Sequence, residues 1–94
     1  MSSYIMAMNI SSKAREKDTS LAQQITMSLE AFADSGVKVH NLFATLGRYD
    51  CLAVFETDDQ ETAFKVASRI NSLGVLETET WPVIPFDDFT RLLR

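Results

Sequence analysis

The chain has 94 residues, 46% of them hydrophobic and 23% charged, which suits one folded domain over 1–94 and excludes the polar, strongly charged pattern of disorder. A formal net charge of −4 and a pI near 4.8 set the overall field against phosphate backbones and anionic membrane surfaces, so neither nucleic acid nor a membrane is an expected partner. The single cysteine, Cys51, excludes an internal disulfide and a Cys-based metal cluster.

Tyr4 to Ile10 is a short apolar segment between serine pairs, and its length predicts a strand. Beyond it, Lys13, Arg15 and Lys17 alternate with Ala14, Glu16 and Asp18, the pattern of a solvated connection. Asp18, Thr19 or Ser20 can then cap a helix with Leu21, Ile25, Leu29 and Phe32 on one stripe, and Gly36 ends it. Val37 to Leu46 predicts a strand whose apolar phase changes near His40-Asn41, the mark of a β-bulge or bend. Gly47 is expected to supply conformational freedom for a turn into the next strand, Asp50 to Glu56. Asp58-Asp59 opens a second helix with Ala63, Val66, Ala67, Ile70 and Leu73 at helical spacing, stopped by Gly74. Val75 to Trp81 reads as the fourth strand, and Pro82 and Pro85 confine the chain after it to a sheet edge or an exit. Phe86 to Arg94 predicts a short terminal helix with Phe86, Phe89 and Leu92 or Leu93 on one side.

The order βαββαβ plus a tail helix is that of the α+β, ferredoxin-like split βαβ arrangement. Right-handed crossovers place two helices on one face of a four-stranded antiparallel sheet. Its other face is apolar as well. Cys51, Ala53 and Phe55 oppose Leu52 and Val54, while Tyr4, Met6, Met8 and Ile10 oppose Ile5 and Ala7. Four strands of ordinary length offer roughly 300 Å² of face. A patch of that size predicts a symmetric homodimer with sheets face to face, a dimeric α+β barrel with the tail helix and residues Trp81 to Phe86 packing across it.

Tyr4-Ile5-Met6, Leu46-Gly47-Arg48-Tyr49-Asp50, Asp58-Asp59 before an Ala-containing helix, Ser72-Leu73-Gly74, Thr78-Glu79-Thr80 and the late Phe89 together resemble the GYD-domain family, in order and over nearly the whole chain. The resemblance implies a ferredoxin-like subunit that dimerises as an α+β barrel, and it implies no catalytic role for Gly47, Tyr49 or Asp50. Trp81-Pro82 stands where the family pattern has an aliphatic and then a basic residue, so this chain's barrel rim is expected to differ.

Residues that can carry chemistry are few. Tyr49 and Asp50 offer a phenol and a carboxylate at a strand mouth, as a ligand grip or, more often for such a pair, as turn fasteners. Glu77 and Glu79 share a parity with Trp81, and Thr78-Glu79-Thr80 is the strongest polar candidate for a pocket. The ligand-binding candidates are therefore Tyr49, Asp50, Thr78, Glu79 and Trp81. The catalytic candidates are Glu79, Tyr49 and His40, with Glu79 serving as a general base only if burial raises its pKa. His40, the only histidine, has no second metal ligand at a recognisable spacing, and Cys51 reads as a small core residue. No phosphate loop, nucleophile elbow or zinc signature is present. No cofactor is expected.

Three functions remain open on this reading. The first is a homodimeric domain without its own catalysis that binds a small molecule in the cavity between the sheets. The second is a cofactor-independent enzyme acting there on a small aromatic or oxidised substrate. The third is a regulatory or assembly module that docks on another protein. With one cysteine, no basic leader and no long apolar run, the expected compartment is the cytoplasm.

Overall fold

The computed structural model describes residues Met1–Arg94. Its elements run β1 (Ser2–Ile10), α1 (Ser12–Glu16), α2 (Leu21–Asp34), β2 (Lys38–Ala44), β3 (Cys51–Thr57), α3 (Gln60–Ser72), β4 (Leu76–Val83) and α4 (Phe86–Leu92). The four strands form one antiparallel sheet in the order β2-β3-β1-β4, the ferredoxin-like arrangement, with the two strands that are apolar on both faces at its centre.

The helices end where left-handed glycines release the chain, Gly36 at φ 73° and Gly74 at φ 77°. Asp59 caps α3 by accepting the Thr62 N–H at 2.7 Å. The phase change in β2 is a bulge: Val39 pairs with Phe55 and Asn41 with Val54, leaving His40 as the extra residue. Pro82 lies inside β4, which tolerates it because β4 is a sheet edge.

The core lies between the sheet and the helices. Met6, Met8, Ala53 and Phe55 are fully buried there against Phe32, Val66, Ile70 and Leu76. Phe55 stacks on Tyr4 at 5.4 Å between ring centroids and meets Phe32 at 5.3 Å in a tilted pair.

Three expectations are corrected. The charged connection contains a short helix, α1, because the Ser11 hydroxyl accepts the Ala14 N–H at 3.1 Å, donates to the Gly74 carbonyl at 2.6 Å, and lets Ala14 bury. In α2 the expected stripe packs on the core, Phe32 buried and Leu21, Ile25 and Leu29 half-buried against it, and Gln24, Ser28 and Ala31 are buried beside them. Gln24 goes inside because its amide donates to the carbonyls of Ala14 and Thr19 at 3.0 and 2.9 Å. Leu73 is the C-cap of α3 and stays half exposed. Finally, Gly47 does not adopt a positive φ; the loop closes instead through the Thr45 N–H to the Asp50 carbonyl at 2.9 Å and the Thr45 hydroxyl to the Tyr49 carbonyl.

Candidate functional site

The sheet face away from the helices carries Ile5 and Ala7 of β1, Leu52, Val54 and Glu56 of β3, Glu77, Glu79 and Trp81 of β4, and Phe43 of β2, as the strand pairings dictate. Its centre is apolar. Ala7 is fully buried and Ile5, Leu52 and Val54 are half-buried within one subunit, while Phe43 is 51% exposed. Polar groups stand at two opposite edges.

One edge is the cluster of Tyr49, Glu79 and Trp81. The Tyr49 hydroxyl donates to Glu79 Oε2 at 2.5 Å, Trp81 Nε1 donates to Glu79 Oε1 at 3.1 Å, and the two rings meet edge to face at 5.9 Å. Two donors on one carboxylate favour its ionised form, so Glu79 has its pKa lowered, first by Tyr49 and then by Trp81. The same bond to Glu79 raises the Tyr49 pKa above its ordinary value. At neutral pH the proton stays on the phenol and the charge on Glu79. That is the reverse of the raised carboxylate expected of a general base, because the group is exposed in the subunit rather than desolvated.

Asp50 has a different task. Its Oδ2 accepts the Ile10 N–H at 2.8 Å with Arg15 at 3.8 Å, and its own N–H donates to the Met8 carbonyl at 2.9 Å and to Asn9 Oδ1 at 3.1 Å. These bonds fasten the start of β3 to the end of β1. The carboxylate thus accepts backbone N–H as a turn fastener does.

Thr78 does not join Glu79 and Trp81. It pairs with Met8 on the helix-facing side, where its N–H and hydroxyl bond the Asn71 side chain at 3.0 and 2.6 Å. A strand alternates faces, so Thr78 and Glu79 cannot line one pocket. His40 also stands apart: it pairs with Glu56 at 3.0 Å near the β2 edge, and about 14 Å of sheet separates β2 from β4. Cys51 is half-buried, and desolvation, then Asp50, raises its pKa, which favours the protonated thiol over the thiolate. No group of three or more His, Cys, Asp or Glu is placed to hold a metal ion, and no helix is long and apolar enough to cross a membrane.

What the sequence alone does not reveal is the bond from Tyr49 to Glu79, thirty positions apart along the chain. Only the shared parity of Glu79 and Trp81 was available as a signal.

Residues 4–93 match the GYD domain. The chain belongs to the GYD-domain family. It is 31% identical over 78 residues to the glutamine synthetase and cystathionine beta-lyase binding protein of Thermus thermophilus, covering 83% of this chain and 80% of that one. Two solved structures share the fold of this GYD-domain chain. The crystal structure of TTHA0845 from Thermus thermophilus has a TM-score of 0.61 at 22% identity, covering 90% of this chain and 95% of its own. That of the hypothetical protein PHS023 from Pyrococcus horikoshii has a TM-score of 0.60 at 16% identity, covering 90% and 92%.

Proposed function

We propose that this GYD-domain chain is a small cytoplasmic protein-binding module that works as a homodimer, two sheets meeting face to face to form an α+β barrel and the pair docking on another protein. The observation that carries the reading is the second apolar face. Ile5, Leu52, Val54, Phe43 and Trp81 form a continuous surface that the subunit's own helices do not cover. A two-fold axis would cover it with a second copy of itself and leave the helices outward.

The name of the Thermus relative, a binding protein for two enzymes, supports docking over catalysis. So does the charge state of the Tyr49–Glu79 pair, which holds neither a basic phenolate nor an acidic carboxyl at neutral pH. At the C-terminal end, Phe86 and Leu92 of α4 and its C-cap Leu93 are each at least 70% exposed, and α4 has no buried residue. This end offers apolar anchors for a partner protein.

Light scattering at tens of micromolar should give twice the chain mass, and Val54→Glu, which puts a charge into the middle of the face, should give a folded monomer. A wild-type monomer at that concentration would defeat the dimer. Calorimetric titration of a purified glutamine synthetase with the wild-type chain tests the docking. Binding that is lost on deleting residues 86–94 supports it, and no heat at any ratio removes that enzyme as the partner.

A second reading is favoured by the aromatic edge cluster. Tyr49, Glu79 and Trp81 sit where the barrel cavity would open and could hold a small molecule between the sheets. Native mass spectrometry of the gently purified dimer would show the additional mass.

A further inference from the structure

The sheet's helix-covered face holds a second feature, independent of the dimer. Between α3 and the edge strand β4 lies a cavity of about 270 Å³, lined by Tyr4, Ala63, Phe64, Ala67, Pro82 and, on its polar side, Gln60, Asn71, Thr78 and Thr80. No carboxylate, ammonium or guanidinium group lines it. The Asn71 amide is fully engaged, donating to the Ala67 carbonyl and the Thr78 hydroxyl and accepting the Thr78 N–H. The Thr80 hydroxyl is not: it is buried and has no partner. A buried hydroxyl left unpaired is costly, which marks the place where a ligand's polar group would be rewarded.

The backbone adds to this. The Thr78 N–H bonds Asn71 rather than β1, so in an antiparallel pair the N–H and C=O of Thr80, two residues on, also point outward from the sheet edge. Pro82 continues the same set and has no N–H to offer. Thr80 therefore brings a hydroxyl, a backbone donor and a backbone acceptor to one wall of a cavity otherwise built from small apolar side chains and the Phe64 ring.

We propose that this cavity is a binding site for a compact, uncharged, largely apolar molecule bearing one group that both donates and accepts hydrogen bonds, such as a carboxamide or hydroxyl on a single ring. Small side chains at Ala63 and Ala67 make the space, Phe64 forms a wall, and Thr80 reads the polar group. An ionised ligand would be desolvated against these walls with no countercharge and is disfavoured. The volume sits near the lower end of small-molecule sites, which limits the ligand to about one ring and its substituent.

The test is an amide-resolved NMR titration of the full ¹⁵N-labelled chain with benzamide, and separately with benzoate. Benzamide should give saturable shifts, in the millimolar range for so small a ligand, grouped at Ala63, Phe64, Ala67 and Thr80. Benzoate should bind at least about tenfold more weakly, since its charge is unpaired there. Thr80→Val keeps the shape and should weaken benzamide by about fivefold. Ala67→Phe fills the cavity and should abolish the shifts; if that variant misfolds, Phe64→Ala at an exposed position removes the wall and should weaken binding in its place. Absence of saturable shifts, equal binding of benzoate, or a Thr80→Val affinity equal to wild type would each overturn the site. The first is the result expected if water alone satisfies the Thr80 hydroxyl.

Discussion

The two faces of one sheet are built from the same strands and meet opposite fates. On β3, Ala53 and Phe55 point into the helices and lose all contact with water, while Leu52 and Val54 point the other way and stay half-buried. Their side chains are equally apolar. The difference comes from what covers them: α2 and α3 pack over one face, and no helix of that core packs over the other, where Phe43, Tyr49 and Trp81 stand. A face that is apolar without being covered is the part of this molecule that points to another molecule.

The largest contrast is expected from paired truncations on β3. Phe55→Ala should cost about 3–5 kcal/mol in urea unfolding, because it removes a ring that touches Tyr4 and Phe32 and leaves a cavity. Val54→Ala should cost below about 1 kcal/mol at submicromolar protein and more as concentration rises, since a second copy would complete its burial. Equal, concentration-independent losses at both positions would erase the distinction between the faces.

Gly74→Ala tests the covered face at its corner. An alanine held at φ 77° should cost about 1–2 kcal/mol in thermal or urea unfolding, although a Cβ there meets no neighbour. A neutral result would show that the α3 end relaxes.

On the open face, the Tyr49–Glu79 bond can be read by its titration. In a Tyr4→Phe background, absorbance should show Tyr49 ionising above its ordinary pKa of 10.0, and Glu79→Gln should bring it down. For linkage, a raised folded pKa means that the bond's contribution is present below pH 10.0 and fades as pH rises through the folded value. Identical titrations in both backgrounds would break the cluster apart.

The smallest effect concerns the Asp59 cap. Thr62 lowers its pKa below 3.8, so its stabilisation is complete above that value and is lost as pH falls through the lower folded pKa. Urea midpoints for wild type and Asp59→Asn should therefore differ at about pH 6 and converge as the acid limb is entered. A gap that persists in acid would assign the loss to the side chain's shape rather than its charge.

Much of this architecture is legible in local pattern. The left-handed stops at Gly36 and Gly74, the Asp59 cap and the phase slip at His40 each depend on residues within a turn of one another. The grouping of Thr78 with Glu79 fails for a reason equally local, the alternation of a strand, which the structure enforces by tying Thr78 to Asn71. The burial of Gln24 was not legible, because its amide nitrogen donates to carbonyls of α1 and of the stretch before α2, an arrangement that needs α1 to dock, while its Oε1 is buried without a partner.

The sequence by itself determined the order of the four strands and of α2, α3 and α4, the ends of α2 and α3 and the two-sided apolar character of the central strands, since periodicity and backbone freedom act between near neighbours. Tertiary structure decided which polar groups meet. Tyr49 reaches Glu79, Asp50 reaches Ile10 and the Thr80 hydroxyl is left alone in a cavity because sheet order and helix docking, rather than sequence spacing, set those distances.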